Sequence, residues 1–357
     1  MRLERYGHGG DLWTATEAYG RPVEEWLDYS SNMNPWGPPD VVGHLVKEHW
    51  RDIARYPDPA VRRLRSKLSE AYRIPAESIL VGNGAAELID LAVRVLQPEE
   101  TVLARPSFSE YEEAAHKAGR RVRSVFLSRD QRFELTDVKD LVGHGGTVFL
   151  GHPNNPTGRL IPIPVLDELR ESGTRMILDE AFMDFLPDES EFSYIRRASE
   201  SMHIQVIRSM TKFYAIPGIR LGFMVAHPDL IRRLQEVQTQ WSVNFLAQLI
   251  GEAVLDEHAY ADRTRAWLTE ERSWLVSELG KIGLTVFPSD VNFLLVALPE
   301  ELRDWNVRRL QQAMAERGIM IRDASLFEGL DPSYFRLAIR LRQDNERLLK
   351  ALKECLS

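Results

Sequence analysis

Between residues 100 and 226 the chain repeats one device: a short apolar run that ends in a turn. "TVLARP" (101–106), "TVFLGHP" (147–153), "RMILDEAF" (175–182), "IQVIRSM" (204–210) and "LGFMVA" (221–226) are short and largely apolar. Such runs suit strands buried on both faces. Between several of them lie helical patterns, as in "AELIDLAVRVL" (86–96) and "PVLDELRESG" (164–173), the second closed by a glycine. Strands alternating with helices predict an α/β domain around a mainly parallel sheet. From about residue 246 a long helical section leads to "GLTVFPSDVNFLLVAL", a helix over 306–317, "GIMIRD", "YFRLAIR" and a closing helix with Leu348, Leu349, Leu352 and Leu356 on one side. This pattern predicts a smaller α+β domain. Residues 1–40, rich in Gly, Pro, Asn and Ser, read as an extended arm that packs with it. The expected division is 1–40, 41–245 and 246–357.

At 357 residues the chain is long enough for a large and a small domain. Acidic residues outnumber basic ones by 53 to 45, a formal net charge of -8, which argues against a general nucleic-acid binder but leaves room for a local anion pocket. The one cysteine, Cys355, excludes an intrachain disulfide and fits a reducing compartment. The opening "MRLERYGHGGDLW" has no apolar stretch of signal-peptide length, and no run of about 18 apolar residues occurs. A soluble cytoplasmic protein, with neither membrane nor nucleic acid as partner, is the expectation. The nine histidines show no H-E-x-x-H spacing, so no metal site is expected.

Four segments carry polar groups at places where a ligand would use them. "GNGAAE" (82–87) follows the apolar "SILV" and opens a helix, whose free backbone N–H groups and dipole make a natural phosphate seat. Glu87 occupies the third glycine position of the dinucleotide fingerprint, so a plain strand-to-helix turn fits as well. "HPNNPTGRL" (152–160) would present Asn155 at the C-terminal edge of a strand, where open α/β sheets bind ligands, or would be a turn with no ligand. "LDEAFMDF" (178–185) ends an apolar strand with Asp179. A carboxylate there needs a partner: a protonated ring nitrogen, or a cation on a neighbouring helix. "IRSMTKFYAIPGIRLGF" (207–223) sets Lys212 among small hydroxyl residues and Arg220 eight positions later. A lysine is costly to bury unless its amine is used, as in a Schiff base.

In that order, glycine turn, "PSF", "NNPTG", "DEAF" and "SMTK…PGIRLG" resemble the fold-type I pyridoxal-phosphate enzymes of the aminotransferase family over nearly the whole chain. The resemblance implies pyridoxal 5'-phosphate as cofactor. It makes Lys212 the Schiff-base lysine and proton shuttle, and Asp179 the partner of the pyridine nitrogen. Phe108 then stacks on the ring and Asn155 bonds the ring hydroxyl. Gly84, Ala85, Ser209 and Arg220 form the phosphate cradle. Tyr56, in "ARYPDPAVRRLR", matches a tyrosine that reaches the cofactor phosphate of a neighbouring subunit, which implies a homodimer with shared sites. One position departs: Phe182 stands where many relatives have a tyrosine, so the ring hydroxyl has one protein donor fewer.

Two subfamilies share these motifs, histidinol-phosphate aminotransferases and threonine-phosphate decarboxylases, and both need a second anion site. Arg322, Arg336 and Arg340 are the candidates, since the guanidinium fork matches carboxylate and phosphate. A solvated cation is the plain alternative for Arg340 and Arg342, but not for Arg336 within the apolar "FRLAI". "YGHGGDLW" followed by "DYSSNMNPWGPP" resembles the opening of the decarboxylases, where the His-Gly-Gly segment helps bind the substrate phosphate; here it supplies His8 and Gly9, with Asn32 following. "GHGG" recurs at 143–146 before a strand, where it reads as a turn, so position rather than the tripeptide carries the likeness. Arg340 also falls where the aminotransferases tend to have a small residue. The implied reaction converts L-threonine O-3-phosphate to (R)-1-amino-2-propanol O-2-phosphate and carbon dioxide, a step that supplies the cobalamin side chain. Histidinol-phosphate transamination is the alternative. Aminotransferase-like regulator modules carry an added N-terminal DNA-binding domain, for which this chain has no room before residue 40.

Overall fold

The computed structural model describes residues 3–4, 7–142, 146–302 and 304–356. Thirteen strands are described. The arm contributes β1 (Leu27–Asp28). The central sheet takes β2 (Ile79–Gly82), β3 (Glu100–Arg105), β4 (Arg121–Phe126), β5 (Thr147–Gly151), β6 (Arg175–Asp179), β7 (Ile204–Ser209) and β8 (Gly222–Val225). The C-terminal part holds β9 (Thr285–Val286), β10 (Phe293–Ala297), β11 (Ile319–Met320), β12 (Arg322–Asp323) and β13 (Tyr334–Ala338).

Strands β2 to β8 form one sheet in the order 2-8-7-6-5-3-4, in which only β8 runs against its neighbours. The mainly parallel sheet is as the apolar runs require. Every residue of β5 and of β7 is buried, because helices cover both faces. The helix Ala85–Leu96 shows how one layer is held. It buries Leu88, Ile89, Leu91, Ala92, Val93 and Val95 along one side, each large apolar side chain contributing about 1.5–3 kcal/mol on burial. The helix Ile163–Glu171 is followed by Gly173 at φ 75, the left-handed turn expected from the sequence.

Strands β12, β13, β10 and β9 make an antiparallel four-stranded sheet in that order. "GIMIRD" therefore divides: β11 pairs in parallel with β1 of the arm, and β12 joins β13. The closing helix Arg342–Leu356 buries Leu348, Leu349 and Leu352. The arm is less extended than its composition suggests. Asp11 caps a helix over Leu12–Tyr19, accepting from Thr14 N at 3.1 Å and Thr14 Oγ1 at 2.6 Å, and Gly20 ends it at φ 67. The expected boundary near 245 falls beside Asn244, the N-cap of the helix Phe245–Val254, which packs against the helices Asp40–His49 and Arg62–Tyr72. Of the second "GHGG", residues 143–145 lie outside the described residues. No helix among the described residues is long and apolar enough to cross a membrane.

Candidate active site

A cavity of about 650 Å³ opens at the C-terminal ends of β6 and β7, against the antiparallel sheet and the arm. Most of the residues singled out in the sequence meet there. One wall can seat an anion. Gly84 precedes the helix Ala85–Leu96 at φ 80 and ψ 166, and no side chain caps that helix. The backbone N–H groups at Ala85 and Ala86 therefore open onto the cavity they line. A Cβ on Gly84 would overlap the Arg220 guanidinium, so the glycine is what lets this cation lie against the helix start. Ser209, at the end of β7, shares a 2.8 Å hydroxyl bond with Thr211, and both line the same wall.

Lys212 stands beside this seat on a single helical turn, Met210–Phe213. Asn34, the second asparagine of "NMNP", holds that turn from behind. Its N–H donates to Lys212 O at 3.1 Å and its amide to Phe213 O at 2.9 Å. Burial, and then the charges of Arg336 and Arg220, bring the Lys212 amine down to about 8, against the opposing pull of Asp179.

Asp179 ends β6 and accepts from Tyr111 Oη at 2.7 Å and Ala181 N at 3.0 Å. Burial pushes its carboxyl upward against those bonds and the Lys212 charge, and a cationic ligand group beside it would act in the opposite direction. Tyr111 is itself buried and stacked 4.0 Å from the Phe149 ring. Its role was missed in the sequence, although it lies one helical turn after Phe108 in "RPSFSEY". Phe108 lines the cavity and meets Tyr111 edge to face at 5.7 Å. Phe182 packs edge-on against Phe293 at 4.9 Å and offers the cavity no hydroxyl.

Two further cations line the cavity from the small sheet. Register in the small sheet sets Arg322 of β12 beside Arg336 of β13. Arg336 donates through Nη1 to Asn155 Oδ1 at 2.5 Å and through Nη2 to Ser30 O at 2.7 Å. Its Nε is buried with no partner among the described residues, as is Asn32 Oδ1. Burial and the Arg322 charge bring the Arg336 guanidinium down to about 9, the condition of a cation short of an anion. Asn155 gives its carbonyl to Arg336, which leaves its amide for a ligand. Arg322 is more committed: Nη2 donates to Gly7 O at 2.6 Å and Nη1 lies 3.0 Å from Glu4 Oε2. Burial brings that Glu4 carboxyl up to about 7.

His8 and Gly9 of the arm complete the wall. A Cβ on Gly9 would run into the Ser30 carbonyl, so only glycine permits this approach. Two candidates lie elsewhere. Arg340 is not in the cavity wall; it bonds Asp344 at 3.0 Å and donates to Asp28 O at 3.2 Å. Tyr56 is 83% exposed and packs on Trp241, ring centres 5.1 Å apart.

A phosphate seat, a lysine with a lowered pKa, a buried carboxylate and an arginine wall are thus gathered on one α/β scaffold. Comparison with known proteins finds relatives over nearly the whole chain. A threonine-phosphate decarboxylase of Salmonella typhimurium is 38% identical over 365 residues, covering 100% of this chain and 98% of that protein. The solved structure of the histidinol-phosphate aminotransferase from Clostridium acetobutylicum superposes with a TM-score of 0.85 at 31% identity, over 92% of this chain and 98% of that one. That of L-threonine-O-3-phosphate decarboxylase from Porphyromonas gingivalis gives 0.81 at 27% identity, again over 92% and 98%. Residues 24–352 match the family described as aminotransferase class I and II, and the chain belongs to that family.

Proposed function

We propose that the protein is a pyridoxal-phosphate-dependent decarboxylase of L-threonine O-3-phosphate, yielding (R)-1-amino-2-propanol O-2-phosphate and carbon dioxide. The observation that carries this reading is that His8, Gly9 and Arg336 line the same cavity as Lys212. It gives a small phosphorylated amino acid a hold for each of its anions. When bound, pyridoxal phosphate supplies an electron sink for bond cleavage at the substrate Cα. The Ala85 and Ala86 amides, Ser209, Thr211 and Arg220 suit its phosphate, Asp179 its ring nitrogen, and Phe108 its ring face.

The protein's own part is to decide which Cα bond breaks. Arg336 and His8 would hold the carboxylate and phosphate ends of the substrate, and that grip would select which Cα bond is exposed to cleavage. Lys212, with an amine near neutrality, delivers the proton that Cα needs once carbon dioxide has left. Incubation of the purified protein with threonine phosphate should release carbon dioxide. Rapid transamination of histidinol phosphate with 2-oxoglutarate, and no carbon dioxide from threonine phosphate, would instead support the aminotransferase reading that the Clostridium structure favours.

Gly84→Ala tests the phosphate seat. The conformation at φ 80 and ψ 166 is open essentially to glycine alone, and the new methyl would displace Arg220. Pyridoxal phosphate should bind about tenfold more weakly or worse, the loss expected of one charge-assisted hydrogen bond. Equilibrium dialysis measures this, and unchanged retention would count against the seat.

The reading supposes a cytoplasmic homodimer in which Tyr56 reaches the partner's site. The exposed Tyr56 and Trp241 pair supports a covered face there. Sedimentation should give twice the 41.0 kDa chain mass. A fully active monomer at assay concentration would refute shared sites.

A further inference from the structure

His8 Nε2 lies 2.9 Å from Glu110 Oε1, and both residues line the cavity. Glu110 stands in the first turn of the helix Ser109–Lys117, two residues after Phe108. The His8 ring is tilted 56° to the Phe108 ring at a centroid distance of 6.1 Å. We propose that Glu110 is a positioning residue for the substrate phosphate: it holds the His8 ring by Nε2, so that Nδ1 is presented to the phosphate. The proposal rests on the reading above, in which His8 meets a phosphorylated substrate.

A carboxylate on one imidazole nitrogen fixes the ring's orientation, and with it the direction of the second nitrogen. A nitrogen aimed in advance leaves less ordering to be done when the phosphate arrives. The same contact holds the Glu110 carboxyl below its ordinary range, against burial.

Glu110 is not needed to hold the arm itself. On one side of His8, Gly7 O accepts from Arg322 Nη2 at 2.6 Å; on the other, Gly10 N donates to Ser30 Oγ at 2.8 Å. The backbone is tied twice without Glu110, while the His8 side chain remains 44% exposed and free to turn unless the carboxylate holds it. Glu113 is the other carboxylate nearby, with its ligand atoms within 4.8 Å of this pair, but it is exposed.

The test is a double-mutant cycle on carbon dioxide release from threonine phosphate. Glu110→Gln should raise KM about fivefold, the upper range for a part-exposed charge pair, with kcat within about twofold. Glu113→Gln should change KM by less than about twofold. In a His8→Ala background, Glu110→Gln should add almost nothing, because its effect runs through the ring. An unchanged KM for Glu110→Gln, or the same increase with and without His8, would overturn the proposal. Calorimetric titration of threonine phosphate into Lys212→Ala and Lys212→Ala/Glu110→Gln proteins supplies a readout independent of turnover. Binding should weaken by the same factor, and equal binding, or none to either protein, also overturns it. Wild-type protein that binds threonine phosphate but releases no carbon dioxide removes the decarboxylase reading alone, and the titration then decides the role of Glu110.

Discussion

Lys212→Ala is expected to lose at least about 10⁴-fold in kcat, because in the proposed reaction one amine is both covalent anchor and proton carrier. The loss should come without unfolding. The turn Met210–Phe213 is held through its backbone by Asn34, which the substitution leaves in place. Removing the amine also relieves a cation that burial, Arg336 and Arg220 all disfavour. The cofactor-free variant should therefore melt no lower than the cofactor-free parent. Calorimetry with single-turnover assays checks both halves, and turnover within tenfold of the parent would sink the assignment.

Arg336→Ala should cost roughly 30- to 5000-fold in kcat/KM for threonine phosphate. That range corresponds to about 2–5 kcal/mol for losing one partner of a buried, hydrogen-bonded charge pair. The guanidinium is positioned in advance by Asn155 and Ser30, and its Nε has no partner among the described residues. Little ordering is left to be done when an anion arrives. Lysine should not replace it, since a single ammonium lacks the planar fork that serves both contacts and a ligand. Steady-state kinetics on Arg336→Ala and Arg336→Lys decide the matter, and a loss below about threefold would remove Arg336 from substrate binding.

What the sequence discloses depends on how local the cause is. β5, β6 and β7 are recognisable because burial on both faces demands an unbroken apolar run, and the structure starts each at the first residue of its run and ends it within three residues of the last. Lys212, Asp179 and Arg220 stand out as charges where burial or a tight turn makes charges expensive. The arm helix Leu12–Tyr19 is hidden by its brevity, although Asp11 and Gly20 bracket it. Arg340 sits in an arginine-rich stretch like a substrate ligand, yet Asp344, four residues on, takes its guanidinium as the closing helix begins. That spacing was visible in the sequence. The Arg336–Asn155 and Arg322–Glu4 contacts were not, because each joins residues far apart along the chain and exists only through the fold. Asn34 and Tyr111 fall between these cases, lying inside motifs whose other members drew the notice.

The place of β8 in the central sheet bears on how the molecule is made. It is the last strand of that sheet along the chain, yet it inserts between β2 and β7, with Gly222 in register with both Gly82 and Ser209. Arg220 is carried in just ahead of it. A growing polypeptide thus emerges with its glycine turn and most of its strands but without the cation that completes the proposed phosphate seat, and the missing pairing is a slow, long-range one. A ligand bound at that seat would draw the population toward the finished sheet by mass action. On the proposed function, phosphate recognition is then a readout of completed folding.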